Sequence, residues 1–340
     1  MTDERPRTSQ RHHADQPPPT EKHHTKKWTD ADLPDLSERT FVVTGATSGL
    51  GLETAVALCA HGATVVLAGR DPGRLRSAVT KAGAVATGPE PSGQLLDLAD
   101  LGSVRSAAEE LAEQHPVINV LINNAGIMAT PRRQTADGFE LQVGTNHLGH
   151  FALTGLLLPA LLAADAGPQA ARVVTVSSGA HRMGSVDPDD LFFERRTYRP
   201  WQAYGQSKLA NLLFTSELAR QAELADVPFI AAAAHPGYAG TNLQFAGPSF
   251  AQNSIGRLWM KGMNSVLGQS ALAGAWPTLY AATRPDVHSG DYIGPDGWLE
   301  QRGHPRHVGR SAAAKDMAVA ARLWERSEEL TGVTYEWPAD

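Results

Sequence analysis

Short apolar runs alternate with longer amphipathic stretches along most of this chain. Phe41-Val42-Val43, Thr64 to Ala68, Leu95 to Leu98, Val117 to Ile122, Val173 to Val176 and Phe229 to Ala234 are brief and mostly rich in branched aliphatic residues. Each is predicted to be a strand covered on both faces. Between them lie helical patterns: Leu52, Val56 and Cys59; Leu101 to Gln114; Phe139 to Leu162; and a run from Tyr204 through Leu209, Leu212, Leu213, Leu218 and Ala219. Asp291-Tyr292-Ile293 adds a last strand and Ala312 to Leu330 a terminal helix. Strand and helix in strict alternation predict an α/β fold, one doubly wound parallel sheet with helices on both faces. No internal repeat or linker divides residues 28–340, which are read as one domain.

Three segments break the pattern. Residues 1–27 are polar, carry Pro17-Pro18-Pro19 and two histidine pairs, and are predicted to be a disordered tail; Trp28 and Leu33 mark where the chain first packs. Gly179 to Pro200 is an irregular insertion. Residues 242–270 mix Phe245, Phe250, Leu258, Trp259, Met260 and Met263 with glycines, the composition of an apolar lid over a substrate or of a packed helix pair.

Composition narrows the possibilities. With 340 residues, 42% of them hydrophobic, the chain can bury a large core, and a net charge of −6 argues against a general nucleic-acid binder. One cysteine, Cys59, cannot form an internal disulfide, and its place in an apolar helical pattern makes it a small buried hydrophobe. No apolar run reaches the ~18 residues of a membrane span, and the start carries no secretory pattern. A cytoplasmic protein without a membrane span is expected. The histidine pairs and the His147/His150 spacing lack partnering Cys, Asp or Glu clusters, so no metal site is expected.

Candidate chemistry gathers at the strand ends. After the first strand comes Thr44-Gly45-Ala46-Thr47-Ser48-Gly49-Leu50-Gly51, a glycine turn opening a helix. Such a turn lets backbone approach a pyrophosphate, which the helix N-terminus favours. The second strand ends at Gly69-Arg70-Asp71-Pro72. Asp71 before a proline suits a helix N-cap. That leaves Arg70 to pair with a 2′-phosphate, and NADP(H) is expected over NAD(H). Asp97 and Asn123 close consecutive strands at the same edge, and Asn146 interrupts a helix that it disfavours. Tyr204 and Lys208 are one helical turn apart, where an ammonium could favour a phenolate and make an acid/base pair; alone, that spacing also describes any exposed helical pair.

Together, Thr-Gly-x-x-x-Gly-x-Gly at 44–51, Asn-Asn-Ala-Gly at 123–126, Asn146, Ser178, Tyr204-x-x-x-Lys208 and Pro236-Gly237 resemble the short-chain dehydrogenase/reductase family across about 300 residues. Asn146-His147-Leu148-Gly149-His150-Phe151 and Ala203 to Leu218 are similar to its retinol-dehydrogenase-like branch, and Gly294 to Gly297 with Glu328 to Gly332 to bacterial members. Animal members often carry a membrane anchor that is not seen here, so retinoid specificity is not carried over. The resemblance implies a Rossmann fold and an NADP(H)-dependent enzyme that interconverts an alcohol and a carbonyl. Tyr204 would be the acid/base, Lys208 would lower its pKa and hold the nicotinamide ribose, and Ser178 would bond the substrate oxygen. The long 179–200 insertion leaves the choice between Ser177 and Ser178 open. Asn146 would fix a water in a proton relay. Gly45, Thr47, Ser48, Gly49, Leu50 and Gly51 would surround the pyrophosphate, and Arg70 would meet the 2′-phosphate. Asp97 and Leu98 would meet the adenine, Asn123 a ribose, with Ala125, Gly126, Pro236, Gly237 and Thr241 completing the cofactor site. The implied partners are a small carbonyl or alcohol substrate and further copies of the chain, as a homodimer or homotetramer paired through helices 139–162 and 201–220. The competing class is a non-catalytic NADP(H)-binding sensor; a C=C reductase of a tetrapyrrole shares only the Ser-Gly-Leu-Gly turn.

Overall fold

The strand runs line up side by side in a computed structural model that describes residues 27–165, 170–237 and 270–338. Tail residues 1–26, Thr241 and the apolar segment 242–269 lie outside the described residues. The strands are β1 (Thr40–Thr44), β2 (Thr64–Gly69), β3 (Ser92–Leu95), β4 (Val120–Asn123), β5 (Ala171–Val176), β6 (Phe229–Ala234), β7 (Tyr292–Pro295) and β8 (Pro305–His307). They form one sheet in the order β3-β2-β1-β4-β5-β6-β7-β8. All pairs are parallel except β7–β8, which is antiparallel. Strand order reverses beside β1, which pairs with both β2 and β4. In such sheets the crevice outside the carboxyl ends at that switch is where ligands bind.

The apolar runs are continuous because alternate residues enter different cores. Val42, Leu121, Val173 and Ala231 face a core with Leu111, Phe151, Phe214 and Trp324. Phe41, Val43, Ile122, Val174 and Ala232 face the other, with Leu58, Leu75 and Leu279. The first core holds helices α3 (Leu101–Gln114), α5 (Gly149–Leu156), α7 (Pro200–Leu224) and α9 (Met317–Thr331). The second holds α1 (Gly49–Cys59), α2 (Pro72–Gly83) and α8 (Ala271–Thr283), and is joined by Trp28 and Leu33, where the chain does begin to pack. Burial pushes the Cys59 thiol up to about 12, as expected of a hydrophobe rather than a reactive thiol.

Two expectations need correction. The segment predicted as one helix from Phe139 to Leu162 is α4 (Leu141–Val143), a π-helical turn at Gly144–Leu148, α5, and α6 (Leu158–Leu162). Periodicity cannot reveal one extra residue in a turn. β3 stops at Leu95, so Asp97 and Leu98 sit past the strand, in the turn that leads to α3. The 179–200 insertion is irregular as read, with two 3₁₀ turns, Gly179–Met183 and Pro188–Asp190. Arg196 there bonds both Asp190 (2.8 Å) and Gln206 of α7 (2.9 Å). Within the chain, α5 and α7 pack on α9 and the segment after it. Trp324 of α9 stacks on Phe214 (5.9 Å) and meets Phe151 edge-on (5.1 Å), with Tyr335 closing over both Phe151 and Trp324.

Candidate active site

The glycine turn is shaped by what lies against it. Gly45 and Gly49 have φ of 65° and 56°, left-handed values that L side chains rarely adopt. A Cβ on Gly45 would lie 2.8 Å from the Ala125 Cα, and one on Gly51 would lie 2.4 Å from Asn124 Nδ2. The 44–51 turn and the 123–126 loop are therefore pressed together. Thr44 fastens them: its hydroxyl oxygen accepts from the N–H groups of Asn124 and Ala125, both at 3.0 Å, while Asn124 Nδ2 donates to the Thr44 carbonyl at 2.7 Å. Ser48, the N-cap of α1, spends its hydroxyl on no capping bond. Thr47 lies against Gly69 at the β2 end, and Leu50 is half-buried.

Beyond β2, Asp71 Oδ1 caps α2 by accepting from Arg74 N at 2.8 Å. Arg70 is exposed and has no carboxylate partner among the described residues. Asp97 Oδ1 accepts from Ala99 N (3.0 Å), and Leu98 packs on Gly149. Asn123 does not sit as expected: its side chain is fully buried and donates to Thr154 at 3.0 Å, inside the fold rather than in the crevice. Gly237 (φ 66°) follows Pro236 beyond β6, and its N–H donates to His235 Nδ1.

The structure gathers Tyr204, Lys208, Ser178 and Asn146. Tyr204 and Lys208 share one face of α7, the ammonium 5.9 Å from the phenol ring centre. Ser178 lies close enough to the Tyr204 phenol to oppose its upward pKa shift, whereas Ser177 is buried and donates to the Lys208 carbonyl at 2.8 Å. The two serines are thus distinct: Ser177 is tied to the α7 backbone, and Ser178 is the one that acts on the phenol. Asn146 lies in the π turn; such turns are rare and frequent at functional sites. Its Oδ1 accepts from Ile127 N (2.8 Å), and its Nδ2 donates to Ile127 O (2.9 Å) and Ser207 Oγ (2.9 Å). A Cβ on Gly126 would lie 3.2 Å from Asn146 Oδ1 and 3.3 Å from Lys208 Nζ, so the 123–126 loop reaches the same point.

Burial dominates the electrostatics here. Desolvation pushes Tyr204 up to about 12, against the opposing influence of Ser178, and pulls Lys208 down to about 8. Among the described residues, Lys208 Nζ has a single acceptor, Val176 O at 2.9 Å. An ammonium carries three donors, so two N–H groups remain for hydroxyls in the crevice. With Ser48, which makes no capping bond, and Arg70, without a carboxylate partner among the described residues, this donor set fits the phosphates and hydroxyls of a dinucleotide.

A profile of the short chain dehydrogenase family matches residues 39–247. This chain belongs to that family. Among short-chain dehydrogenases it is 37% identical to human retinol dehydrogenase 13 over 301 residues, covering 87% of this chain and 85% of that protein. It is 38% identical to mouse polyprenol dehydrogenase over 303 residues, covering 88% and 86%. A crystal structure of an uncharacterized protein from Mycobacterium paratuberculosis shares 46% identity and a TM-score of 0.75, covering 92% of this chain and all of that one. The Pseudomonas aeruginosa RhlG/NADP complex, 22% identical, covers 78% of this chain and 98% of its own with a TM-score of 0.62, a likeness of fold. As a short-chain dehydrogenase, the protein is an oxidoreductase acting on CH–OH groups. No helix among the described residues is long and apolar enough to cross a membrane.

Four groups around this site went unread in the sequence. Gln142 donates to the Tyr198 hydroxyl (2.8 Å) and the Pro200 carbonyl (3.0 Å), tying the insertion to the Asn146 helix. Buried Glu140 caps that helix through Gln142 N and Val143 N, and accepts from Tyr198. Their spacing from Asn146 follows no motif, so only the folded chain reveals them.

Proposed function

We propose that the protein is an NADP(H)-dependent dehydrogenase/reductase that interconverts an alcohol and a carbonyl on a fairly apolar substrate, with Tyr204 as acid/base. The observation that carries this reading is the shared face of α7 that bears Tyr204 and Lys208, with Lys208 against Gly126 of the loop fastened to the glycine turn and Ser178 close enough to act on the phenol. Bound there, NADP(H) would supply or accept the hydride. Ser178 and Tyr204 orient the substrate oxygen, and Tyr204, protonated at neutral pH, donates as alkoxide charge develops there. Lys208 turns its two unsatisfied N–H groups toward ribose hydroxyls, and its charge stabilises the phenolate left behind. Asn146, whose side chain is occupied by Ile127 and Ser207, holds the 126–128 loop beside Lys208. Gly45, Ser48, Gly49 and Leu50 cradle the pyrophosphate, and Arg70 supports NADP(H) over NAD(H).

An apolar substrate is supported by the composition of 242–270 and by relatives named for retinol and polyprenol, both long apolar alcohols. A cytoplasmic location belongs to the same reading. The test is NADPH oxidation across a panel of aldehydes, ketones and quinones, with Tyr204→Phe alongside. Turnover should vanish in the variant while NADPH still binds. Retained turnover would remove Tyr204 from its role; silence of the wild type despite tight NADPH binding would favour a sensor.

A further inference from the structure

His150 is wholly interior, and each ring nitrogen has one partner: Nδ1 lies 3.0 Å from the Asn146 carbonyl and Nε2 2.9 Å from Thr44 Oγ1. A carbonyl only accepts, so Nδ1 carries the proton and Nε2 is bare. The Thr44 hydroxyl must then donate to Nε2, which leaves its oxygen to accept from the N–H groups of Asn124 and Ala125. One directed chain results: the 124–125 amides into Thr44, Thr44 into His150, His150 into the carbonyl of Asn146. It joins the glycine-turn strand, the 123–126 loop and the π turn, three elements that converge beside Lys208.

We propose that His150 is a positioning residue for this site, a neutral strut whose two hydrogen bonds hold the Asn146 turn in register with the glycine turn and the 123–126 loop. The proposal rests on the dehydrogenase reading above. Its surroundings keep the ring uncharged: burial and the facing Lys208 ammonium of α7 lower it to about 4, and His147 on its own turn is also neutral. Thr44 on β1 and Asn146 are its uncharged neighbours. A charged imidazole would turn a second donor at Thr44, whose oxygen already accepts from two N–H groups, and break the chain there.

Three variants separate a strut from a space-filling core residue. His150→Phe keeps apolar volume but removes both bonds, and Thr44 is left only the weaker Ile122 carbonyl at 3.3 Å. His150→Asn can keep the bond to the Asn146 carbonyl, and His150→Gln the one to Thr44. We expect His150→Phe to lower kcat about tenfold and weaken NADPH binding about tenfold, with Asn and Gln in between. We also expect the alkaline limb of the kcat–pH profile to move in His150→Phe, while thermal stability does not follow the same order. If His150→Phe is the best-tolerated variant in kcat, NADPH affinity and pH profile, with Asn and Gln worse in step with their melting temperatures, the strut is overturned. Should the wild type bind NADPH yet turn nothing over, the dehydrogenase reading fails separately. NADPH affinity then decides alone: the same rank order supports the strut, and unchanged affinity in His150→Phe removes it.

Discussion

Replacing Lys208 by Met should make the nucleotide-free protein more stable while destroying turnover. Lys208 is 3% exposed, and burial lowers its pKa from the usual 10.5 to about 8. At about 1.4 kcal/mol per pH unit, keeping the ammonium charged in the fold costs about 3 kcal/mol. Its one hydrogen bond, to the Val176 carbonyl, returns about 1.5 kcal/mol. Deleting it strands nothing, because Asn211 Nδ2 also donates to that carbonyl at 3.1 Å. Methionine fills nearly the same volume, so a net gain of about 1–2 kcal/mol is expected at pH 7, or roughly 2–4 °C in Tm. The sign follows from linkage: the unfolded chain keeps the lysine proton up to about 10.5, the folded chain only to about 8. The cost is therefore fully present below pH 8 and fades as the pH rises toward 10.5, and the advantage of Met should fade with it. Urea unfolding of both proteins without nucleotide, at pH 7 and pH 10, measures this directly. A Lys208→Met protein less stable at pH 7, or equally advantaged at both pH values, would refute the reasoning. In the same variant kcat should fall at least about 100-fold, the usual worth of acid–base assistance.

Ser178→Ala should lower kcat about 100-fold, while Ser177→Ala, which removes only a bond to the Lys208 carbonyl, should cost stability and leave kcat within a few fold; steady-state kinetics and thermal unfolding separate them. Arg70→Ala should weaken NADPH binding about tenfold to a hundredfold and NADH binding hardly at all, read by fluorescence titration; equal losses for both would remove the 2′-phosphate role. Gly51→Ala would set a Cβ 2.4 Å from Asn124 Nδ2 and 2.6 Å from the Gly45 carbonyl. It should cost about 1–3 kcal/mol of stability and weaken NADPH binding, measured by thermal melts with and without nucleotide.

Apolar runs, glycine turn and the Tyr204–Lys208 spacing are local properties, and those are what the linear chain made legible. The run through Phe41-Val42-Val43 is apolar at every position because both sheet faces are covered, and a helix start at Pro72 needs only Asp71 before it. Asn123 misled because a strand-end amide points either into the crevice or into the fold, and only Thr154, 31 residues later, decides which. β8 escaped notice because three residues bearing a proline, paired antiparallel at the sheet edge, carry no periodic signal.

Local order along the chain thus determined the α/β alternation, the phosphate turn and the likeness to a family of enzymes. Tertiary packing alone decided which serine acts on Tyr204, that Asn146 lies in a π turn, that α9 covers the long helices, and that burial drives Tyr204 and Lys208 in opposite directions. The physical reason is the same in each case. Desolvation and hydrogen-bond partnership depend on which distant residues close over a group, and residue spacing along one segment holds no record of that.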